Sequence, residues 1–150
     1  MTRGYFGIGI VGNKTEYNLG TLWRSAHILG ASFIFVTGRR YKPQSTDTTS
    51  AWKHTPLFQY ETPQDLMDHI PRDCVPIAVE IDDRSRSLLN YVHPERAVYI
   101  LGAEDTGLPK VVLDRCRDIV QLPGSICLNV ASVGSIVMYD RLKGIENGRR

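Results

Sequence analysis

The chain has few cysteines, little net charge and no long hydrophobic run. Its three cysteines, Cys74, Cys116 and Cys127, are far apart in sequence. Neither a disulfide framework nor a zinc site with paired spacings is therefore predicted, and we expect no metal. No apolar run reaches the roughly 20 residues of a membrane span, and the first apolar segment is too short and glycine-rich for a signal peptide. These absences favour a cytoplasmic protein.

The net charge of +2 is too small to indicate nucleic-acid binding by itself. Basic residues nevertheless cluster in two places, Arg39-Arg40-Lys42 and the C-terminal Arg141, Lys143, Arg149 and Arg150. The ordinary interpretation of each cluster is a solvated loop or tail. The chain has 150 residues, 42% hydrophobic and 23% charged, so we expect one globular domain spanning 1–150.

Strand and helix patterns alternate along the chain. Short β-branched, aromatic or apolar runs predict strands at Tyr5–Val11, Ser32–Thr37, Leu57–Tyr60, Val75–Ile81, Ala97–Leu101 and Ile119–Leu122. Helical spacing and capping residues predict helices at Leu19–Leu29, Pro63–His69, Pro109–Cys116 and Asn129–Leu142. Asn18 and Thr62 are the expected N-caps of the first two helices, and Gly30 is the expected stop of the first. Residues 38–56 are irregular, and 143–150 form a polar tail that we expect to fray.

This alternation predicts an α/β fold with a mainly parallel sheet and helices on both faces. Ligands of such sheets bind beyond the carboxyl ends of the strands. The loops expected at that edge are 38–50, 82–86, 102–108 and 123–128.

Residues 7–12 match the dinucleotide-binding pattern G-x-G-x-x-G. That motif requires glycines that follow a strand and open directly into a helix. Here Gly7 and Gly9 lie inside a predicted strand, and the helix begins only near Leu19. The pattern motivates a nucleotide-binding oxidoreductase only weakly; glycines in a strand more often allow another backbone to pack closely.

Three segments stand out where strands give way to helices. They are 18–26 (NLGTLWRSA), 101–109 (LGAEDTGLP) and 122–132 (LPGSICLNVAS). Each has an ordinary explanation, since Arg24 could be a surface charge and Asn129 a helix cap. Glu104 could be a turn carboxylate or lie at a helix N-terminus.

Together the segments resemble the three motifs of the SpoU/TrmH branch of the SPOUT RNA methyltransferases, over residues 5–142. The pattern N-x-G-x-x-x-R-S-A is matched by Asn18, Gly20, Arg24, Ser25 and Ala26. The pattern L-G-x-E-x-x-G-L is matched by Leu101, Gly102, Glu104, Gly107 and Leu108. Pro123, Leu128, Asn129 and Val130 match the third motif, which is shorter here and has Cys127 where the family usually has serine.

The resemblance implies a C-terminal deep trefoil knot that binds S-adenosyl-L-methionine, largely through backbone groups. It also implies a homodimer with the site near the subunit interface, and methyl transfer to a ribose 2′-hydroxyl of RNA. No appended RNA-binding domain is expected, and the small size favours tRNA over rRNA as substrate. Because the third motif is altered, a non-catalytic knotted RNA-binding module is the main alternative.

The resemblance also assigns site residues. Arg24 would act as an electrostatic clamp on the 2′-oxygen, because a guanidinium stays protonated, with Asn18, Glu104 and Asn129 positioning it or the loops. The expected cofactor shell is Val79, Leu101, Gly102, Leu122, Cys127 and Leu128, although Val79, Leu122 and Leu128 could equally be sheet core. The expected RNA contacts come from position instead: Arg39, Arg40 and Lys42 follow the second strand at the ligand edge, and Tyr41 in the same basic loop is the expected stacking platform.

Overall fold

The computed structural model of the protein describes residues 4–13, 15–38, 51–124 and 128–146. The strands in these ranges are β1 (Tyr5–Asn13), β2 (Phe33–Gly38), β3 (Leu57–Tyr60), β4 (Val75–Val79), β5 (Arg86–Ser87), β6 (Arg96–Gly102) and β7 (Asp118–Gln121). The helices are α1 (Glu16–Leu29), α2 (Pro63–Asp68), α3 (Lys110–Arg115) and α4 (Val130–Glu146). Every predicted strand and helix is present, while β5 was not predicted.

The described strands form one sheet in the order β3-β2-β1-β6-β4-β7-β5, and each pairing is parallel. One face packs against α1 and α4, whose Leu22 and Val137 are fully buried in the core. The other face packs against α2 and α3 through residues such as Leu66 and Val112. The predicted α/β architecture is confirmed, whereas the knot stays a prediction. None of the described helices has the length and hydrophobicity needed to span a bilayer.

The glycines of the G-x-G-x-x-G pattern lie within β1, as predicted, and open no helix. Gly7 pairs with Phe33 and Gly9 with Phe35 across the parallel ladder to β2. A Cβ at Gly7 would overlap the Phe33 ring, and one at Gly9 would overlap the Phe35 carbonyl oxygen and ring. The glycines therefore make room for two aromatic rings and one backbone group, and the dinucleotide-binding interpretation loses its support.

The prediction that Asn18 caps α1 is wrong. The helix begins earlier, and the extended Thr15 is its N-cap, with a side-chain oxygen that accepts the Asn18 backbone N–H at 3.3 Å. This arrangement leaves the Asn18 side chain available for a more distant partner. Gly30 ends α1 in the left-handed conformation, as predicted, with a φ of 89°.

The prediction of a fraying basic tail from residue 143 is also wrong where the structure describes it. α4 continues to Glu146, and Arg141, expected in a solvated cluster, is fully buried. Its guanidinium donates to the carbonyl oxygens of Pro94 and Glu95 at 2.6 and 2.7 Å and to the Tyr99 hydroxyl at 3.0 Å. These bonds compensate the charge for its loss of water. Residues 147–150 lie outside the described ranges.

Candidate functional site

A cavity of about 430 Å³ opens at the carboxyl ends of β4, β6 and β7. Its walls are formed by residues 79–82, 101–108 and 121–124 and by the start of α4. This is the edge at which parallel α/β sheets bind ligands, and the volume suits a small molecule. Three of the four predicted ligand loops contribute to it; most of the fourth, residues 39–50, lies outside the described ranges. Within those ranges, no group of side chains could hold a metal ion.

Three polar side chains from the three sequence motifs meet beside this cavity. The amide nitrogen of Asn129 donates to Oδ1 of Asn18 at 3.0 Å and to Oε1 of Glu104 at 2.9 Å. These residues are 111 and 25 positions from Asn129 in sequence. The fold thus joins the start of α1, the loop after β6 and the start of α4 through one amide group, and Glu104 lines the cavity.

Asn129 also caps α4, which was its ordinary interpretation. Its side-chain oxygen accepts the backbone N–H groups of Ala131 and Ser132 at 2.9 and 3.2 Å. Glu104 accepts a further N–H, that of Val130, at 3.2 Å. Free N–H groups and the helix dipole favour a carboxylate at this position. The ordinary and the functional interpretations of Asn129 and Glu104 are therefore compatible.

Glu80, which the sequence analysis missed, fixes the loop after β6. Its carboxylate accepts the N–H of Leu108 at 2.8 Å and the N–H of Ile81 at 2.9 Å. Gly107 has a φ of 64°, and a Cβ there would lie 2.6 Å from Glu80 Oε2. A side chain at residue 107 would therefore displace this carboxylate. A lone acid near the end of a predicted apolar strand was the available signal.

Gly102 lines the cavity, and the fold of the chain itself requires a glycine at this position. A Cβ there would lie 2.6 Å from the Gly107 carbonyl carbon and 2.8 Å from the Leu108 nitrogen. Gly102 therefore allows the loop to fold back over the end of β6, which shapes the wall of the cavity.

The wall next to β4 is braced by Arg84. Its backbone N–H and its Nε donate to Asp82 Oδ1 at 2.8 and 3.0 Å, and its Nη1 donates to Asp114 Oδ1 at 2.9 Å. The hydrogen bonds from Arg84 hold the pKa of Asp82 below its ordinary value, so this cavity-lining carboxylate is ionised at neutral pH.

Comparison with known proteins agrees with this geometry. Residues 6–139 match the model of the SpoU rRNA Methylase family. The chain belongs to this family. The SpoU family comprises RNA methyltransferases, and one residue from each of the three segments that resemble its motifs, Asn18, Glu104 and Asn129, meets beside the cavity.

Similar proteins cover the SpoU domain to different extents. A mouse protein named tRNA (guanosine(18)-2'-O)-methyltransferase TARBP1 is 29% identical over 82% of this chain, which spans only 8% of that protein. The SpoU methyltransferase AviRb from Streptomyces viridochromogenes, solved with AdoMet, superposes on this chain with a TM-score of 0.85 at 20% sequence identity. The match covers 99% of this chain and 61% of the AviRb chain. A structure described as giving insights into the 2-OH methylation of C/U34 on tRNA has a TM-score of 0.81 at 20% identity. That match covers 97% of this chain and 99% of the other.

Five of the six residues predicted to bind the cofactor in this SpoU domain line the cavity. They are Val79, Leu101, Gly102, Leu122 and Leu128, while Cys127 lies outside the described residues. Val79 and Leu101 are also buried core residues, so the sheet-core interpretation of Val79 is confirmed, while its contact with a cofactor stays a prediction. Leu128 is 50% exposed, which excludes it from the core, and its binding to the cofactor stays a prediction.

Arg24 is not brought into the cavity. It lies on the exposed face of α1, two turns from the helix start, and is not among the described residues that line the cavity. The neighbouring Trp23 is buried, and its indole N–H donates to the Thr55 carbonyl at 2.7 Å, so Trp23 belongs to the core of the SpoU domain. The predicted RNA contacts Arg39, Arg40, Tyr41 and Lys42 lie outside the described residues.

Proposed function

We propose that this SpoU domain transfers a methyl group from S-adenosyl-L-methionine to a ribose 2′-hydroxyl of RNA. One observation carries the proposal. Asn18, Glu104 and Asn129, one from each family motif, form a hydrogen-bonded group at the edge of a cavity of suitable size. The AdoMet complex of AviRb, which has a similar fold, supports the choice of cofactor.

The cavity residues fit S-adenosyl-L-methionine. Leu101, Leu122 and Leu128 supply apolar surface for an adenine ring, and Glu104 supplies an acceptor for hydroxyl or ammonium groups. When bound, the cofactor supplies an electrophilic methyl group that needs little activation. The protein has to hold the acceptor hydroxyl in line and stabilise the charge that develops on its oxygen.

We assign that stabilisation to Arg24. A guanidinium stays protonated, so it acts as an electrostatic clamp on the 2′-oxygen and adjacent phosphate rather than as a base. Since Arg24 lies on the outer face of α1, away from the cavity of its own chain, the proposal includes a homodimer that brings Arg24 to the partner's cavity. Asn18, Glu104 and Asn129 hold the start of α1 against the cavity loops and so fix the helix that carries Arg24.

We favour tRNA over rRNA as the substrate. The mouse relative is named as a tRNA methyltransferase, and the structure described for tRNA methylation matches this chain over almost all of both lengths.

A methyl-transfer assay with radiolabelled S-adenosyl-L-methionine tests the proposal on unmodified total tRNA and on rRNA. We expect label in tRNA, at a position resistant to alkaline hydrolysis. Arg24→Ala should lower kcat on the order of 100- to 1,000-fold, the loss typical of one oxyanion-stabilising group, with cofactor affinity unchanged by calorimetry. Arg72→Ala is the matched control, because Arg72 is an exposed arginine in the loop between α2 and β4, at the opposite edge of the sheet.

Three results would count against the proposal. Label in a base rather than a ribose would reject the acceptor, and an equal loss of cofactor affinity in Arg24→Ala would make Arg24 structural. RNA binding without cofactor binding would favour the non-catalytic module.

A further inference from the structure

The charged side chains that line the described part of the cavity are all acidic. They are Glu80, Asp82, Glu104 and Asp105, and no lysine or arginine in the described ranges lines it. A partly enclosed cavity with such a lining has a negative potential, which is stronger than on open surface because the walls have a low dielectric constant.

Asp82 and Glu80 differ in how many of their carboxylate oxygens accept hydrogen bonds from the described residues. Both oxygens of Glu80 accept backbone N–H groups, so Glu80 is committed to holding its loops. In Asp82, Oδ1 accepts both bonds from Arg84, and Oδ2 accepts none from the described residues. The Asp82 side chain is only 20% exposed. The bonds from Arg84 to Oδ1 fix its position, and Oδ2 stays available to a ligand.

Arg84 does not cancel this charge. Its guanidinium is shared between Asp82 and Asp114, so the three groups together keep a net charge of −1. Arg84 is 51% exposed and faces away toward α3, whereas Asp82 lines the cavity. Ser85 adds a second brace to the same wall, because its hydroxyl is 2.6 Å from Oε1 of the cavity-lining Gln121. The carboxylate is thus pre-organised for a cationic ligand.

We propose that Asp82 is a specificity-determining residue that favours the cationic methyl donor over its neutral thioether product. This inference rests on the proposed function. In the reaction the S–CH3 bond breaks with its electron pair left on sulfur, a C–O bond forms, and the hydroxyl proton passes to solvent. The sulfur charge therefore falls from +1 to zero, while the adenosine and amino-acid parts are unchanged. A fixed carboxylate then binds the donor more strongly than the product and so promotes product release.

Calorimetric titration of the whole protein with three compounds tests this. The compounds are S-adenosyl-L-methionine, S-adenosyl-L-homocysteine and sinefungin, which carries an amine in place of the sulfonium. Asp82→Asn should weaken the two cationic compounds about five- to tenfold, as expected for one partly screened charge contact, and the neutral product less than about twofold. Asp83→Asn, the same charge change at an exposed neighbour outside the cavity lining, should leave all three affinities unchanged.

Two outcomes would overturn the inference while leaving the proposed function intact. An equal loss for all three compounds would mean that Asp82 contacts a part they share. An equal effect of Asp83→Asn would mean that the general field, and not Asp82, selects the cation. Failure of the unaltered, folded protein to bind any of the three compounds would instead overturn the proposed function together with this inference. Asparagine keeps the acceptor for Arg84, so the variant should unfold at the same temperature as the unaltered protein.

Discussion

Asn129 uses both ends of one amide group, and this explains why a helix cap can also organise a site. Its oxygen accepts two backbone N–H groups of α4, and its nitrogen donates to Asn18 and Glu104. Aspartate and serine are equally good N-caps, but an ionised aspartate has no donor and serine has a single O–H, whereas the Asn129 amide nitrogen donates twice. An amide is therefore the side chain that performs both tasks.

Asn129→Asp and Asn129→Ala separate these two tasks. The aspartate variant keeps the cap but places a second carboxylate against Glu104, so we expect it to lose about 1–2 kcal/mol of unfolding free energy at about pH 8. Because like charges raise the pKa of one carboxyl, this loss should shrink as the pH falls through about 6 to 4 and one group binds a proton. The alanine variant loses the cap as well, so its unfolding free energy should fall by about 2–3 kcal/mol, both at about pH 8 and at about pH 4.

Urea unfolding of both variants and the unaltered protein across that pH range measures the difference. A pH-independent loss in Asn129→Asp would contradict the contact with Glu104. Glu104→Gln combined with Asn129→Asp is the control, since the neutral partner should remove the pH dependence.

At the scale of elements, the strand and helix positions could be predicted because they depend on local pattern. The run 33–37 is β-branched and aromatic whatever its neighbours, and the spacing of Leu19, Leu22 and Ala26 makes a helical face by itself. The cap of α1 could not be predicted, because Thr15 and Asn18 are both good caps and the distant Asn129 decides between them. The burial of Arg141 likewise depends on carbonyls 46 and 47 residues away.

The candidate site divides in the same way. Residues in the three motifs could be identified from their types and spacing. Glu80 could not, because it holds the N–H of Leu108, 28 residues away, and Asp82 could not, because only the fold places it in the cavity wall. β5 has two residues, which is too short for any periodicity to appear.

The end of β6 offers a prediction about how an element shapes the cavity. Gly102→Ala would place a Cβ against the backbone of Gly107 and Leu108, which cannot yield as a side-chain tip can. We expect a loss of about 1–3 kcal/mol in unfolding free energy, as for other overpacked sites. The displaced loop should also lower methyl transfer on the order of 100-fold.

Gly134→Ala is the matched control. A Cβ there would meet only side-chain ends, Leu22 Cδ1 at 2.5 Å and Leu101 Cδ1 at 3.0 Å, and alanine gains about 1 kcal/mol of helix propensity over glycine in α4. Urea unfolding and the transfer assay should therefore show a small change. Wild-type activity in Gly102→Ala would show that the loop after β6 does not shape the active cavity.

At the scale of the whole molecule, α1 and α4 form one layer whose outer face carries large exposed apolar and aromatic side chains. The two helices lie side by side, with hydrogen bonds between Asn18 and Asn129 and between the hydroxyls of Ser25 and Ser135 at 3.0 Å. The outward stripes carry four large exposed side chains, Tyr17 at 72%, Ile28 at 64%, Ile136 at 41% and Tyr139 at 62% exposure. We expect exposed apolar side chains gathered on two adjacent helices to contribute to an interaction site.

Arg24 lies in the same stripe as Tyr17 and Ile28, since these residues are spaced seven and four positions apart along α1. A second copy of the chain placed on this face would bury the apolar side chains in the interface, and Arg24 would be buried with them. Because twofold interfaces are self-complementary, one exposed apolar patch is sufficient to form a dimer. This is the physical argument for the proposed homodimer.

Ile28→Glu tests that argument against Leu89→Glu, which changes a side chain of nearly equal exposure, 63%, in the turn between β5 and β6. We expect the unaltered protein to have twice the monomer mass by light scattering, and Ile28→Glu to weaken dimerisation at least about tenfold, because a buried carboxylate at an apolar interface is costly. Leu89→Glu should remain dimeric.

Methyl transfer by Ile28→Glu should rise with protein concentration as dimers re-form, since Arg24 would then reach a cavity only in the dimer. A monomeric protein with full, concentration-independent activity would contradict both the interface and the role of Arg24 across it.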